Sequence, residues 1–308
     1  MLKLDGAGIS PPCRKTCHRH PPKSRSWPEI HANPLVAGGM RVTIPHSPGA
    51  VPRVIFLGGN GHAAARLDAA RGALAELAGS RARPPFEILD VPYPGFEGRP
   101  RAGSLDAFLA AVAEPIRASD EGAGAPLVYA TGIGGLLALC LRARGELAGV
   151  PLLLQAPVLW GLARRLMPRM MRMGLAQVAL RRAFASPLFQ ARFARKHFGE
   201  PLAPAMRARF FEGYARCGAL PDFFAWLTPE LLRRLESDFE ARPEALRQIT
   251  VWWGERDTIV PVRELAWTEA ALGVTWPVRL FPAWGHYPMI DDPMGWVRAL
   301  SNVVETAS

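Results

Sequence analysis

Three short stretches of the sequence carry residue types that could do chemistry together. The first, VYATGIGGLLAL at residues 128–139, contains an apolar run, a glycine-rich turn and a second apolar run. This pattern predicts the strand, tight turn and helix on which an enzyme places a nucleophilic serine in a G-x-S-x-G setting. The residue at the apex of this turn is Gly132, so the expected hydroxyl is absent.

An acid and a histidine follow further along the chain. The stretch WWGERDTIVP at 252–261 places Asp257 just past a predicted strand. The stretch FPAWGHYPMIDDP at 281–293 places His286 just past the last predicted strand. A histidine oriented by a carboxylate is a common general base in acyl transfer. The sequence therefore predicts a base and its orienting acid beside a turn that lacks a side-chain nucleophile.

These three turns need a scaffold that brings them together. From residue 40 onward, short apolar runs alternate with amphipathic helical patterns, which predicts a mostly parallel, doubly wound α/β sheet of about eight strands with helices on both faces. Strands are predicted at 51–57, 86–91, 127–129, 150–154, 250–253 and 278–281, and helices at 66–77, 105–116, 136–144, 263–272 and 296–304.

A long helical stretch interrupts this alternation. Residues 161–247 carry amphipathic helical spacing and no strand pattern. We expect them to form a cap over the carboxyl edge of the sheet, where open parallel sheets bind ligands. The core would then comprise residues 40–160 and 248–308. The methionines of the cap suit either core packing or a pocket for flexible apolar chains.

The order of elbow, acid and histidine, each at the carboxyl end of a strand, resembles that of the α/β-hydrolase superfamily. The resemblance runs from about Met40 to the C-terminus and rests on G-E-R-D-x-x-V-P and G-H-x-P-M-x-x-D-P. It is greatest to members with a helical cap between the sixth and seventh strands, such as small esterases and C–C bond hydrolases. The chain departs from the family pattern at Gly132, the nucleophile position, and at Gly58-Gly59, where His-Gly is usual.

The resemblance implies a role for each candidate residue. His286 would act as general base and later as general acid, and Asp257 would orient its ring and stabilise the imidazolium. The backbone N–H groups of Asn60 and Ile133 would form an oxyanion hole, which needs no particular side chain. No cofactor and no metal are expected. Further residues would line the substrate site: Gly59, Thr131, Met170 and Met173.

No other side chain replaces the missing hydroxyl convincingly. Thr131 lies one position early, so its side chain faces the other side of the strand. Cys140 lies two helical turns beyond the elbow, and Ser104 belongs to a different loop. Four interpretations therefore stay open. His286 could activate a water to hydrolyse an activated ester or thioester, which we favour. The dyad could instead abstract a substrate proton, as in cofactor-free lyases and oxygenases. The protein could be an inactive ligand-binding pseudo-hydrolase, or the elbow register could be shifted.

The charge distribution indicates the kind of partner. The net charge is +10, and residues 161–210 hold eleven Arg or Lys against one acid, Glu200. A basic strip suits an anionic small-molecule substrate or an acidic acyl carrier protein; a solvated helical face is the alternative. Nucleic acid is not expected, because no aromatic-interleaved or zinc-finger pattern is present. The stretch GGNGH after the first strand lacks the G-x-G-x-x-G spacing of dinucleotide-binding proteins.

Composition places the chain among reduced, cytoplasmic globular proteins. Hydrophobic residues make up 49% and charged residues 21%. No run approaches the ~18 apolar residues of a membrane span, and no signal-peptide core opens the chain. Residues 1–39 are rich in Pro, Arg and His, so a disordered basic tail is expected there. Cys13, Cys17, His18 and His20 lie in this tail, but their irregular spacing does not predict a zinc site.

Overall fold

A six-stranded, fully parallel sheet forms the centre of the protein in the computed structural model. The structure describes residues 51–81, 83–119, 126–161, 165–171, 173–198, 202–215 and 220–306. The strands are β1 (Arg53–Leu57), β2 (Glu87–Asp90), β3 (Leu127–Thr131), β4 (Leu152–Gln155), β5 (Ile249–Gly254) and β6 (Val278–Phe281), in the order β2-β1-β3-β4-β5-β6. This confirms the α/β fold class. The described residues contain six strands rather than about eight, and residues 1–50 lie outside them, including the predicted tail and its cysteines.

The strand order places the candidate residues at one edge. β1 lies between β2 and β3, with Leu57 opposite Ala130. The strand order reverses at β1, and ligands of open α/β sheets bind in the crevice outside the carboxyl ends at such a point. All five residues of β3 are buried, as expected for a central parallel strand covered on both faces.

Helices cover both faces of this sheet. On one face Trp296 packs edge-on against Phe56 and Tyr129, whose rings lie on β1 and β3. Elsewhere the helix after the elbow packs against β1, β3 and β4. The helices of the α/β core are α1 (Asp68–Gly79), α2 (Leu105–Ala118), α3 (Ile133–Ala143), α10 (Leu265–Leu272), α11 (Pro288–Asp291) and α12 (Pro293–Thr306).

Between β4 and β5 the described chain is helical, at the place where the sequence predicts a cap. We call residues 166–246 the helical segment. Its helices are α4 (Leu166–Met170), α5 (Gly174–Ala185), α6 (Pro187–His197), α7 (Pro204–Ala215), α8 (Leu220–Trp226) and α9 (Pro229–Ala241), followed by a 3₁₀ turn at Pro243–Leu246. Stacked and edge-on aromatic rings join α5, α6 and α7, for example Phe184 on Tyr214 at 4.2 Å between centroids. No helix within the described ranges is long and apolar enough to cross a membrane.

Candidate active site

The turn between β3 and α3 has the backbone geometry of a nucleophile elbow. Gly132 has φ 56° and ψ −121°, a conformation that costs a residue with a side chain on the order of 1–3 kcal/mol. The turn is held on both sides, because the Gly132 N–H donates to Gln155 (3.0 Å) and its carbonyl accepts from Val158 (2.8 Å). A Cβ at Gly134 would lie 2.4 Å from the Leu57 carbonyl oxygen, so close approach to β1 requires glycine there. Gly132 thus lies between the end of β3 and the start of α3, at the place predicted for the apex.

Asp257 and His286 form a buried, oriented pair. The His286 Nδ1–H donates to Asp257 Oδ2 at 2.7 Å. The other carboxylate oxygen accepts the backbone N–H groups of Ile259 (2.8 Å) and Val260 (2.9 Å), which fixes its direction. His286 is 6% exposed and the Asp257 side chain 1%. With Nδ1 donating to the carboxylate, a neutral His286 ring presents its lone pair at Nε2.

The Nε2 of His286 faces the elbow. A Cβ placed on Gly132 would lie 3.4 Å from Nε2 and 3.8 Å from the Cα of Gly59. A hydroxyl carried by that Cβ would come within the ~2.6–3.2 Å reach of a nucleophile–base hydrogen bond. The structure therefore brings together the three positions that the sequence singles out, with glycine where the hydroxyl is expected.

The loop after β1 lies beside the elbow. Its turn is closed by the His62 N–H, which donates to the Gly59 carbonyl at 3.1 Å. A Cβ on Gly59 would lie 3.2 Å from the Thr131 carbonyl oxygen, so the loop packs on the end of β3. Ile133 is the first residue of α3, and the first N–H groups of a helix have no intrahelical acceptor. Asn60 therefore lies in a loop that packs beside the elbow and Ile133 follows the elbow directly, while their role as backbone donors stays a prediction.

Comparison with known proteins decides the family. The model of the alpha/beta hydrolase family matches residues 54–300. The chain belongs to this family. No curated protein sequence matches the chain.

Solved structures of this fold align over most of the chain. A membrane phospholipase A, described as a bacterial virulence factor, aligns with TM-score 0.57 and 19% identity, covering 86% of this chain and 81% of its own. A haloalkane dehalogenase variant from Bradyrhizobium elkanii gives 0.59 and 16%, covering 86% and 92%. A bromoperoxidase from Bacillus anthracis gives 0.58 and 13%, covering 83% and 93%. Proteins named for three different reactions share the fold, so the family places the chain among hydrolases in general and leaves the reaction to the site.

A buried arginine that the sequence did not single out joins the β1 loop to the helical segment. Arg66 donates to the carbonyl of Asn60 (3.0 Å) and to that of Phe210 (3.3 Å). Its guanidinium lies 4.1 Å from the ring centroid of Phe210 and 4.7 Å from that of Tyr214. The guanidinium of Arg66 is thus stabilised by carbonyl oxygens and aromatic ring faces rather than by a carboxylate. Arg66 thus fixes the position of the candidate oxyanion loop relative to α7.

A second histidine–carboxylate pair supports the same loop from below. His62 Nε2 and Asp90 Oδ1 lie 2.7 Å apart, both largely buried. A Cβ on Gly58 would overlap the His62 ring, so ring and loop backbone are packed directly together. The Tyr93 hydroxyl also donates to the Gly58 carbonyl, at 3.0 Å. Gly58, which stands where a histidine is usual, is therefore required by the packing of the His62 ring against the loop.

Aromatic side chains shield the candidate base. The ring of Tyr287 packs edge-on against His286 at 4.8 Å and stacks on Phe198 at 5.3 Å. Its hydroxyl lies 3.2 Å from that of Tyr214, which α7 contributes. Burial raises the pKa of Tyr287 well above its ordinary value, so the phenol stays neutral. The helical segment thus supplies a low-dielectric wall beside His286, where electrostatic interactions are stronger than in water.

The remaining residues singled out in the sequence lie in different environments. Thr131 is buried at the end of β3, next to the elbow. Met170 and Met173 lie at the surface of the helical segment, 41% and 59% exposed. Cys140 is buried in α3, and burial raises the pKa of its thiol to about 12, which keeps it protonated and a poor nucleophile. Among the described residues no group of three His, Cys, Asp or Glu side chains could hold a metal ion.

Proposed function

We propose that this alpha/beta hydrolase cleaves an activated ester or thioester with a water molecule that His286 activates. One observation carries the proposal. The Nε2 of His286, oriented by Asp257, faces the elbow at 3.4 Å from the place of a Gly132 Cβ, and Gly132 itself brings no side chain there. A water oxygen hydrogen-bonded to Nε2 would occupy the region that a serine hydroxyl takes in the usual triad.

In the proposed reaction His286 both accepts a proton and later returns it. Nε2 accepts a proton from the water as its oxygen attacks the acyl carbon, and the Asp257 carboxylate stabilises the resulting imidazolium. The N–H groups of Asn60 and Ile133 donate to the carbonyl oxygen as it becomes an oxyanion. When the tetrahedral intermediate collapses, the bond to the leaving thiol or alcohol breaks, and Nε2 returns its proton to that group. Acid and alcohol or thiol leave, with no covalent acyl-enzyme.

The rate enhancement expected from this site limits the class of substrate. A positioned general base contributes on the order of 10²- to 10⁴-fold. That range suits an acyl group with a good leaving group, such as a thioester, an activated ester or a lactone, and falls short for an amide. The substrate proposed is partly apolar and carries negative charge, because residues 161–210 hold eleven Arg or Lys against one acid. Gly59 and Thr131 would line its acyl end.

Turnover of a panel of short- and long-chain acyl esters and acyl thioesters tests the proposal. Wild-type protein is compared with His286→Ala and Asp257→Asn, all folded by circular dichroism. We expect kcat to fall on the order of 10²- to 10⁴-fold in both variants with little change in KM, since the dyad acts on the transition state. Acid-quenched samples analysed by intact mass should contain no acyl-enzyme.

Other results of these measurements would contradict the proposed hydrolysis. If the wild type turns over nothing in the panel, or if His286→Ala matches it, the proposed reaction is wrong. Consumption of a substrate by proton abstraction, with no water oxygen incorporated into product from H₂¹⁸O, would indicate the lyase or oxygenase class instead. Binding without turnover that survives His286→Ala would indicate a ligand-binding pseudo-hydrolase.

A further inference from the structure

Exposed large apolar side chains are concentrated on one part of the helical segment. Seven such side chains occur in the described part of the chain, and six of them lie between residues 166 and 188; the seventh is Val278. Leu175 is 83% exposed and Leu188 66%. Singly scattered surface aliphatics are normal, but a concentration like this marks a surface that contacts something apolar.

The same stretch is basic and lacks acids. The sequence has no Asp or Glu between Glu146 and Glu200. Several arginines elsewhere in the fold pair with carboxylates, as Arg101 does with Asp222 and Arg144 with Asp106. Within the described ranges, no ion pair is formed by the exposed cations of this stretch, which are Arg169, Arg181, Arg182, Arg192, Arg195 and Lys196. Their charge therefore faces solvent without internal compensation.

Helical spacing places both kinds of side chain on the same outer faces. On α5, Leu175, Val178 and Arg182 follow i, i+3, i+7 spacing and are all exposed, while Phe184 on the opposite side is buried against α7. On α6, Leu188, Arg192 and Arg195 follow i, i+4, i+7 spacing and are exposed as well. α5 and α6 pack against each other, so the two exposed faces lie on neighbouring helices.

We propose that this surface docks the protein on an anionic lipid bilayer. Aliphatic side chains would enter the boundary between headgroups and acyl chains while the guanidinium groups bind lipid phosphates, the arrangement of interfacial amphipathic helices. The docking surface consists of Leu166, Arg169, Met170, Met173, Leu175, Val178, Arg181, Arg182, Leu188, Arg192, Arg195 and Lys196.

A bilayer fits these side chains better than a protein partner does. An acidic protein would match the cations but would leave Leu175 and Leu188 against polar groups. A second copy of this surface would bring unpaired cations together with no carboxylate between them, which is unfavourable. An anionic bilayer offers phosphate and hydrocarbon at adjacent depths, and arginine can extend its charged end to the phosphate level while its stem stays apolar.

The helix α6, which carries part of the docking surface, also reaches the candidate active site at its C-terminal end. At the C-terminal end of α6, His197 Nδ1 and Thr258 Oγ1 lie 2.7 Å apart, one residue from Asp257. The next residue, Phe198, stacks on Tyr287 beside His286. A bilayer held by α5 and α6 would therefore lie against the same helix that packs on the histidine turn. The docking itself does not depend on hydrolysis and is tested without it.

Vesicle sedimentation of the full chain tests the docking surface. Sucrose-loaded phosphatidylcholine vesicles are compared with vesicles that also contain phosphatidylglycerol. We expect binding to the second kind, weakening as salt rises. The variant Arg182→Gln/Arg192→Gln/Arg195→Gln should bind on the order of 100-fold more weakly, because each of the three cations near an anionic surface contributes about a fivefold factor in affinity. The variant Leu175→Gln/Val178→Gln should bind on the order of tenfold more weakly.

Matched substitutions outside the docking surface control for charge and hydrophobicity. Val278→Gln removes an exposed valine from β6, and Arg247→Gln/Arg298→Gln removes two exposed arginines far along the chain. These should bind like the wild type. All variants keep residues 1–50, so the cations there contribute equally in every comparison. All substituted side chains are exposed, and unchanged thermal unfolding verifies that each variant folds.

Several results would overturn the proposal. The proposal is wrong if the wild type does not bind phosphatidylglycerol vesicles at low salt. It is also wrong if neither set of surface substitutions weakens the binding. Binding to an acidic acyl carrier protein without binding to vesicles would assign the surface to a protein. A dimer in sedimentation equilibrium that Leu175→Gln/Val178→Gln dissociates would assign it to a second copy of the chain.

Discussion

Restoring a hydroxyl at the elbow by Gly132→Ser tests the geometry most directly. A serine there must adopt φ 56°, which costs on the order of 1–3 kcal/mol of stability. For a protein of this size class that corresponds to a fall in Tm of roughly 2–12 °C. Steric overlap adds little, because the new Cβ meets nothing closer than His286 Nε2 at 3.4 Å. We therefore expect a folded but less stable variant.

The new hydroxyl should be activated by the dyad already present. With Nε2 in reach, Gly132→Ser should form a covalent acyl-enzyme with p-nitrophenyl esters, giving a burst of p-nitrophenol. Acylation should be faster than the wild-type release of p-nitrophenol, because the serine oxygen is held beside Nε2 whereas the wild type must recruit a water molecule there. A fluorophosphonate should label residue 132, which peptide mass spectrometry identifies.

Gly132→Ala is the matched control, since it carries the same backbone strain and the same Cβ without a nucleophile. It should lose the same stability, gain no label, and lose wild-type hydrolysis because its methyl group crowds the water proposed beside Nε2. Gly132→Ser/His286→Ala should also remain unlabelled. A folded Gly132→Ser protein that neither bursts nor reacts with fluorophosphonate would refute the inference that His286 is poised toward the elbow.

Two further predictions concern stability. Gly213→Ala should lower Tm and turnover, because its Cβ would lie 2.3 Å from the carbonyl oxygen of Gly61 and must displace the β1 loop from α7; Gly72→Ala in α1 meets no atom within 4 Å and should raise stability by about 1 kcal/mol. Equal Tm changes in the two variants would contradict this packing. Burial, with Lys196 and His286 nearby, lowers the pKa of His197, while Asp257 opposes the shift. Between this lowered pKa and the ordinary histidine pKa of about 6.5, the unfolded chain therefore binds more protons than the folded one, and stability falls as pH drops through that range. His197→Gln should flatten the dependence of Tm on pH there, and an unchanged slope would exclude His197 as its source.

Local patterns predicted the parts of the site that depend on neighbouring residues in the chain. Buried runs marked the strands, and the turns carrying Gly132, Asp257 and His286 follow three of them. α3 begins at Ile133, earlier than its predicted start at 136, because Gly134 and Gly135, which weaken helix propensity, are required for close packing on Leu57 and on Pro157. The elbow residues were thus predictable even where the helix boundary was not.

Contacts between distant parts of the chain were not predictable in the same way. Arg66 and Phe210 are separated by 144 residues, and nothing near Arg66 in the sequence indicates a buried, carbonyl-bonded guanidinium. The hydroxyl contact of Tyr214 with Tyr287 is of the same kind. The methionines expected in a substrate pocket, Met170 and Met173, are 41% and 59% exposed, and their place in such a pocket stays a prediction. Helical periodicity gives the faces of a helix but does not say which face meets protein.

Arg66 connects the candidate oxyanion loop to α7. One guanidinium donates hydrogen bonds to the carbonyls of both Asn60 and Phe210. If α7 moves away from the sheet, either one of these hydrogen bonds breaks or the β1 loop moves with the helix. Entry of a ligand from that side would consequently be coupled to the geometry of the backbone donors. If the helical segment moved away from the sheet, the proposed backbone donors of the β1 loop would leave their positions. Its return would restore those positions and exclude water from the site in the same movement.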